Sequence, residues 1–187
     1  AVADGDVLDN AKLLRDNASY EQLNLLFRND GTGRFTSVGQ ASGPGFALKK
    51  ASRALAVGDL DNDGDLDIVV SNVGAIADVL QNEGGNRGNS VLVRVVGSRS
   101  NRDGIGARLK LSVGGKTLVR DVKAGSSYLA QNDLRVHFGL GSALKADRLE
   151  IHWPGGGVEV IENIDANRIL TIREGEGVVR SEPFVRR

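Results

Sequence analysis

Acidic residues occupy every second position of one nine-residue segment in the first half of the chain, which reads DLDNDGDLD. Two unit charges about 4 Å apart repel by about 4 kcal/mol at an effective dielectric constant of 20, so such a segment is strained without a cation. A hard divalent cation with oxygen ligands relieves that strain. The spacing therefore predicts a calcium site, and its candidate ligands are Asp59, Asp61, Asp63, Asp65 and Asp67.

The order of residues in this segment predicts how the ion is held. Asp59, Asp61 and Asp63 can converge on one centre, and Gly64 allows the chain to reverse direction. Asp65 is expected to offer its backbone carbonyl rather than its side chain. The alternative interpretation is a solvated turn of Asp, Asn and Gly that holds no metal.

The acidic segment, residues 59–67, is called the metal loop below, and its spacing differs from that of an EF-hand. Asp67 closes the ligand shell at the ninth position, whereas an EF-hand needs a bidentate Glu at the twelfth, where this chain has Val70. Residues 54–57 and 66–70 on either side are short apolar runs. We therefore expect the metal loop to join two buried strands rather than two helices.

Composition narrows the classes of protein. The 187 residues include 24 basic and 24 acidic side chains, so the net charge of zero gives no electrostatic reason to expect nucleic acid or an anionic membrane as a partner. The 25 glycines and the aromatic content of only 4% favour an all-β protein with short strands and tight turns. Cysteine is absent, which excludes disulfides, thiolate metal sites and a cysteine nucleophile. We expect no membrane span and no signal peptide, and we expect a processed chain or a fragment because it starts at Ala1 without Met.

A repeat is visible in the first half. Residues 25–35 read LLFRNDGTGRF, and residues 79–88 read VLQNEGGNRG. We predict that each copy is a strand followed by a glycine-rich hairpin turn. The interval between Asn29 and Asn82 is close to the period of β-propeller blades.

These segments resemble a known family of repeats. Residues 56–67, with the metal loop, and residues 24–35 are similar to the integrin-type FG-GAP or VCBS propeller repeat. Farther along, residues 101–107, 125–133, 138–141 and 151–156 resemble the ASPIC/UnbV domain. That domain follows FG-GAP repeats in bacterial secreted proteins and in the cartilage acidic proteins. Both signatures in this order are more specific than either alone.

The resemblance implies an all-β chain with partial β-propeller blades and a calcium loop, followed by a C-terminal β-sandwich. We expect a propeller fragment in residues 1–88, an ASPIC/UnbV-like sandwich in 89–177 and a tail in 178–187. One repeat and part of another cannot close a propeller, so the missing blades are expected from a longer precursor or from a partner protein.

The second half also predicts a sandwich from its own pattern. Seven short alternating strands are expected at residues 90–96, 107–113, 116–123, 134–138, 148–153, 158–162 and 168–173. Apolar residues alternate along three of them and predict an inner layer: Leu109, Leu111, Val113, Leu134, Val136, Phe138, Leu149, Ile151 and Trp153. The histidines, His137 and His152, fall on the opposite face and are interpreted as solvated strand residues.

Candidate chemistry outside the metal loop is sparse. The sequence contains neither a complete G-x-G-x-x-G fingerprint nor a G-x-S-x-G nucleophile motif. The segment from 125 to 133 mixes side chains that donate, accept and stack, and a loop on a rigid sandwich often binds a ligand. Its candidate recognition residues are Ser126, Ser127, Tyr128, Gln131, Asn132 and Asp133. The alternative is a structural loop whose polar side chains cap neighbouring backbone groups.

Two functions from different classes fit the sequence. The first is a non-enzymatic, calcium-binding adhesion or scaffold module that presents a protein-binding or glycan-binding surface. Because loops of this kind in extracellular modules bind calcium at about 10⁻⁴ to 10⁻³ M, this function predicts a secreted, extracellular or periplasmic location. The second is an enzyme or an enzyme subunit, in which either the acidic segment holds a catalytic metal or the sandwich is an accessory domain of a secreted hydrolase or redox enzyme complex.

Overall fold

A computed structural model describes residues 1–16 and 19–185 of the chain. Strands dominate these residues, which confirms the predicted all-β class. The described chain divides into two compact units. The first unit contains residues of 1–57, 67–81 and 125–131, and the second contains 58–66, 82–124 and the chain from 132 onward. The described part of the chain contains no helix with the length and apolar character needed to cross a membrane.

The first unit is built from short elements. Its helices are α1 (Ala11–Leu14) and two 3-10 helices at Gly39–Ser42 and Pro44–Ala47. Its strands are β1 (Gln22–Leu23), β2 (Phe27–Asn29), β3 (Phe35–Ser37), β4 (Lys49–Lys50), β5 (Ser52–Gly58), β6 (Asp67–Asn72) and β7 (Asp78–Leu80). Strands β1 and β4 pair, β2 and β3 form a hairpin, and the order β5-β6-β7 makes a three-stranded sheet. The metal loop thus joins two neighbouring strands, β5 and β6, as predicted.

The two copies of the repeat do not fold alike. In the first copy, β2 and β3 pair antiparallel around a turn in which Gly31 and Gly33 have φ angles of 88° and 87°. Glycine is favoured at both positions because other residues rarely adopt positive φ. The second copy was expected to be a hairpin as well, and that prediction is wrong. Strand β7 pairs with β6, and the chain continues through a 3-10 helix at Gly85–Arg87 into the second unit.

The second unit is a β-sandwich of two four-stranded sheets. Its strands are β8 (Asn89–Val96), β9 (Arg108–Val113), β10 (Lys116–Asp121), β11 (Val136–Gly141), β12 (Lys145–His152), β13 (Val158–Asp165), β14 (Arg168–Arg173) and β15 (Gly177–Pro183). One sheet has the order β10-β9-β12-β13 and the other the order β11-β8-β14-β15. Strand β14 runs parallel to β8, and the other strand pairs of these two sheets are antiparallel.

Alternating residues from both sheets form the core of this sandwich. Leu109, Leu111, Leu149, Ile151 and Phe138 are fully buried in one apolar cluster. The expected inner layer is therefore present, with Val113 and Leu134 only partly buried against it. Because side chains alternate across a strand, these positions follow directly from the sequence pattern.

The structure divides the chain differently from the predicted boundaries at 88/89 and 177/178. Strand β8 begins at Asn89, close to the first boundary, but residues 58–66 fall in the second unit and residues 125–131 in the first. Residues 178–183 of the expected tail lie in strand β15, which pairs with β14, and Phe184 is buried. Residues 186 and 187 of that tail lie outside the described residues.

A buried carboxylate holds one connection of the sandwich. Glu174, which follows β14, is only 2% exposed. Its Oε2 accepts hydrogen bonds from the backbone N–H groups of Ser98, Arg99 and Ser100 at 2.9, 2.8 and 2.7 Å. The Ser100 hydroxyl donates to Oε1 at 3.0 Å. These donors stabilise the charged form and lower the pKa of Glu174 to about 2. We call Glu174 together with residues 98–100 the Glu174 nest.

Candidate metal centre

The backbone of the metal loop is organised by its own first carboxylate. Asp59 Oδ1 accepts a hydrogen bond from the N–H of Asp63 at 3.2 Å, and its Oδ2 accepts one from Gly64 at 3.1 Å. Gly64 has a φ of 97° and Asn62 a φ of 63°, both in the left-handed region. Glycine and asparagine are the residues that adopt this conformation most readily. The loop is therefore wrapped around Asp59.

Three carboxylates of the metal loop gather at one point. One oxygen from each of Asp59, Asp61 and Asp67 lies within 4.8 Å of the other two. Asp59 and Asp67 are buried, with exposed fractions of 1% and 2%, whereas Asp61 is half-buried. Like charges at this distance repel strongly in a site shielded from water. We call these three residues the carboxylate cluster.

The remaining two predicted ligands have side chains engaged with protein donors. Asp63 Oδ1 accepts a hydrogen bond from the N–H of Asp65 at 3.0 Å, and its Oδ2 accepts one from Asn86 Nδ2 at 2.8 Å. Asp65 is buried, and its Oδ2 accepts the N–H of Gly85 at 3.0 Å. The side chain of Asp65 is thus turned to Gly85. The five-residue ligand set remains a prediction.

Burial shapes the acid–base behaviour of the cluster. The pKa of Asp59 is raised above its ordinary value because desolvation penalises the carboxylate, and the nearby charge of Asp63 adds to the effect. The N–H groups of Gly64 and Asn62 and the charge of Arg135 oppose this shift without cancelling it.

The donor set fits a hard divalent cation. Carboxylate oxygens are the ligands that calcium prefers, and three of them already lie close together in the carboxylate cluster. In such a position Asp59, Asp61 and Asp67 can hold calcium, and the ion would supply the positive charge that offsets their repulsion.

Comparison with protein families matches both halves of the chain. A model described as "FG-GAP-like repeat" matches residues 11–70, which include the metal loop. A model described as "ASPIC and UnbV" matches residues 97–179. The chain carries an FG-GAP-like repeat followed by an ASPIC and UnbV domain. The resemblance predicted from the sequence is confirmed, and the matched order is the predicted one.

One curated protein is similar to a large part of this chain. The human protein "Cartilage acidic protein 1" is 32% identical to this chain over 136 residues. The match covers 70% of this chain and 20% of the relative, so the chain spans about a fifth of the length of that protein.

Two residues of the ASPIC and UnbV domain contact the metal loop, although the sequence pattern assigned neither of them to a site. Arg135 donates from Nη1 to Asn62 Oδ1 at 2.6 Å and from Nη2 to the carbonyl of Asp59 at 2.5 Å. His137 Nε2 donates to the carbonyl of Gly64 at 3.1 Å, which differs from its expected role as a solvated strand residue. The sequence signal for these contacts is weak, because alternation along residues 135–138 only places both side chains on the face opposite the core and does not show what that face contacts.

The other histidine and the candidate recognition loop have simpler surroundings. His152 Nε2 lies 3.3 Å from Glu150 Oε2 on the outer face of β12.

In the candidate recognition loop, residues 125–133, a tight turn closes between Ser127 and Ala130, and Leu129 has a φ of 49°. Ser126, Ser127, Tyr128 and Gln131 are exposed, Asn132 is half-buried, and Asp133 accepts hydrogen bonds from Arg135. The structure brings these side chains onto one connection, and a recognition role for them stays a prediction.

Proposed function

We propose that this chain is a calcium-binding, non-enzymatic module of an extracytoplasmic protein and that it acts in adhesion or as a scaffold. The observation that supports the proposal is the convergence of Asp59, Asp61 and Asp67 in a loop matched by an FG-GAP-like repeat. Such repeats commonly bind calcium. The ion has a structural role in this proposal, because it fixes the turn between two neighbouring strands.

The proposed location follows from the expected affinity. Calcium sites of extracellular modules have dissociation constants of about 10⁻⁴ to 10⁻³ M, so they fill outside the cytosol and stay largely empty inside it. The resemblance to a human cartilage protein supports the same placement. We therefore propose a secreted, extracellular or periplasmic address.

Exposed apolar side chains in the first unit support a role in assembly. Phe27 and Phe35 lie on the same face of the β2–β3 hairpin, with exposed fractions of 41% and 65%. Val79 on strand β7, at an edge of the three-stranded sheet, is 62% exposed. Apolar surface of this kind commonly marks contacts with protein. We propose that further repeats of a longer chain or a partner protein cover it.

Calcium binding is tested by titration and by thermal unfolding. At a calcium concentration ten times the dissociation constant, the free energy of unfolding is expected to rise by about 1.4 kcal/mol. For a chain of this size that corresponds to an increase in Tm of roughly 3 to 6 °C. Isothermal titration calorimetry gives the affinity, and scanning fluorimetry in calcium and in EGTA gives the shift.

A matched pair of variants assigns the effect to the carboxylate cluster. Asp61→Asn is expected to abolish most of the calcium-dependent shift, because it removes one charged ligand and leaves the buried Asp59 in place. Asp165→Asn makes the same change in charge at an exposed residue that pairs with Lys145 in the sandwich, and it is expected to keep the shift. A wild-type Tm that is the same in calcium and in EGTA would contradict the proposed function.

The assembly role has its own test. Phe35→Ser is expected to reduce self-association of this chain at high concentration, measured by size-exclusion chromatography with light scattering. The matched control is Val158→Ser, since Val158 is 54% exposed on the sandwich. A wild-type chain that stays a monodisperse monomer at every concentration, with Phe35 exposed, would argue against a covered surface in the first unit.

A further inference from the structure

The metal loop is hydrogen-bonded to the sandwich at backbone carbonyls and at the side chain of Asn62. Arg135 donates to the carbonyl of Asp59 and to the side chain of Asn62. The same guanidinium donates from Nε to Asp133 Oδ2 at 2.6 Å, which fixes its orientation. Arg135 thus forms an ion pair with Asp133, and its two terminal nitrogens donate to the metal loop. A planar guanidinium with several donors suits this kind of bridging.

The turn of the loop is held at a second point. The carbonyl of Gly64 accepts hydrogen bonds from the Ser90 hydroxyl at 3.0 Å and from His137 Nε2 at 3.1 Å. Ser90 is buried at the start of β8, and His137 lies on β11, the neighbouring strand of the same sheet. Because both donors sit on paired strands, the position of this carbonyl is set by a rigid part of the sandwich.

The last described residues close over the same turn. The N–H of Val185 donates to the carbonyl of Asn62 at 2.7 Å. The ring of Phe184, which is only 8% exposed, lies so close to Gly64 that a Cβ atom there would come within 2.5 Å of it. The segment is also anchored by the N–H of Phe184, which donates to the carbonyl of Asn167 at 3.2 Å.

We propose that Arg135 and the segment Phe184–Val185 form a clamp that positions the metal loop for calcium, so that calcium binding and docking of this segment stabilise each other. The inference rests on the proposed function, since it concerns the same calcium site. The clamp holds Asp59 and Asn62 by their backbone in the arrangement that lets the carboxylates converge. Mutual repulsion tends to spread those carboxylates, so an outer set of contacts that keeps them together raises the affinity for the ion.

The charge of Arg135 makes the test decisive. A positive charge beside a cation site opposes binding of the cation, so removal of that charge alone predicts tighter calcium binding. A positioning role predicts the opposite. Replacing an outer residue of a metal site typically lowers the affinity for the metal by about 10- to 100-fold. The sign of the change therefore separates the two roles.

The experiment compares calcium dissociation constants, measured by calorimetry, for three variants with the wild-type chain. Arg135→Met and a chain that ends at Pro183 are each expected to bind calcium at least about 10-fold more weakly. Arg120→Met changes an exposed arginine on β10 and is expected to bind like the wild type. The shortened chain keeps Arg135, so it tests the clamp even if Arg135→Met does not fold.

Hydrogen exchange gives the reciprocal measurement. Because linkage is mutual, calcium is expected to slow exchange of the N–H of Val185 in the wild-type chain and to have less effect in Arg135→Met. If the wild-type chain binds no calcium, the proposed function fails and this inference with it. If the wild-type chain binds calcium and both Arg135→Met and the shortened chain bind it equally well or more tightly, the clamp alone is overturned.

Discussion

The metal loop and the Glu174 nest each contain a buried carboxylate, and the pKa values of these two carboxylates shift in opposite directions. In the loop, several carboxylates share one small volume, and burial raises the pKa of Asp59. In the nest, one carboxylate is met by three backbone N–H groups and a hydroxyl, and its pKa falls to about 2. The balance of donors to charges decides the sign, not burial alone. In the nest the donors outweigh the cost of burial, whereas at Asp59 the cost of burial outweighs the donors.

The largest expected effect is at the nest. Glu174→Ala removes a buried carboxylate and leaves the N–H groups of Ser98, Arg99 and Ser100 without their shared acceptor, which is costly. We expect this variant to lose more stability than Gly64→Ala or Asp61→Asn, and to lose it equally in calcium and in EGTA. Urea unfolding in both buffers measures the change. A loss that calcium restores would contradict the distinction between the two regions.

Acid is expected to remove the same interaction by protonation. Glu174 has a folded pKa of about 2 against an ordinary value of 4.5, so its contribution to stability is fully present above pH 4.5 and is lost as the pH falls toward 2.

In calcium-free protein the contribution of Asp59 to stability has the opposite dependence on pH. Its pKa is raised, so its contribution is present below the ordinary value of 3.8 and is lost as the pH rises through the raised pKa.

The pH dependence is measured by urea unfolding between pH 2 and 7 in EGTA. Glu174→Gln is expected to flatten the loss of stability between pH 4.5 and 2, because the variant carries no proton-binding group there. An unchanged pH profile in this variant would show that other carboxylates control acid unfolding.

Gly64→Ala is expected to lower the free energy of unfolding by about 1 to 3 kcal/mol from backbone strain alone, because φ at this position is 97°. The added Cβ also displaces the Phe184 ring. Gly156→Ala is the matched control, since Gly156 has a φ of 91° and no atom within 4 Å of the added Cβ. Denaturant unfolding measures both variants, and equal losses would show that the ring contact contributes nothing.

The smallest expected change in the free energy of unfolding is that of Asp61→Asn in calcium-free buffer, and this change is an increase. Removing one charge from the carboxylate cluster relieves repulsion of about 1 kcal/mol for a partly solvated pair, so the variant is expected to be slightly more stable than the wild type in EGTA. In calcium the order should reverse. Scanning fluorimetry in the two buffers measures this crossing, and a variant that is less stable in both buffers would contradict it.

Much of this architecture was accessible from local patterns. Alternation of side chains predicted most strands of the sandwich and its core around Leu109, Phe138 and Ile151, because a strand has only two faces. The acidic spacing predicted a metal loop, and the apolar runs on either side predicted that this loop joins two strands, which are β5 and β6. Strand β15 was missed because its residues lack the regular apolar alternation and end in a proline, which resembles a tail.

What the sequence determined by itself was therefore local: most strands of the sandwich, the glycine turns and the supply of oxygen ligands between Asp59 and Asp67. Only the tertiary structure decided which of those ligands converge and which are turned to Asn86 and Gly85. It also decided that Arg135, His137 and Phe184 contact the loop. The physical reason is distance along the chain. Spacing fixes neighbours within a turn, whereas partners more than 70 residues away in sequence are chosen by how strands pair and sheets pack.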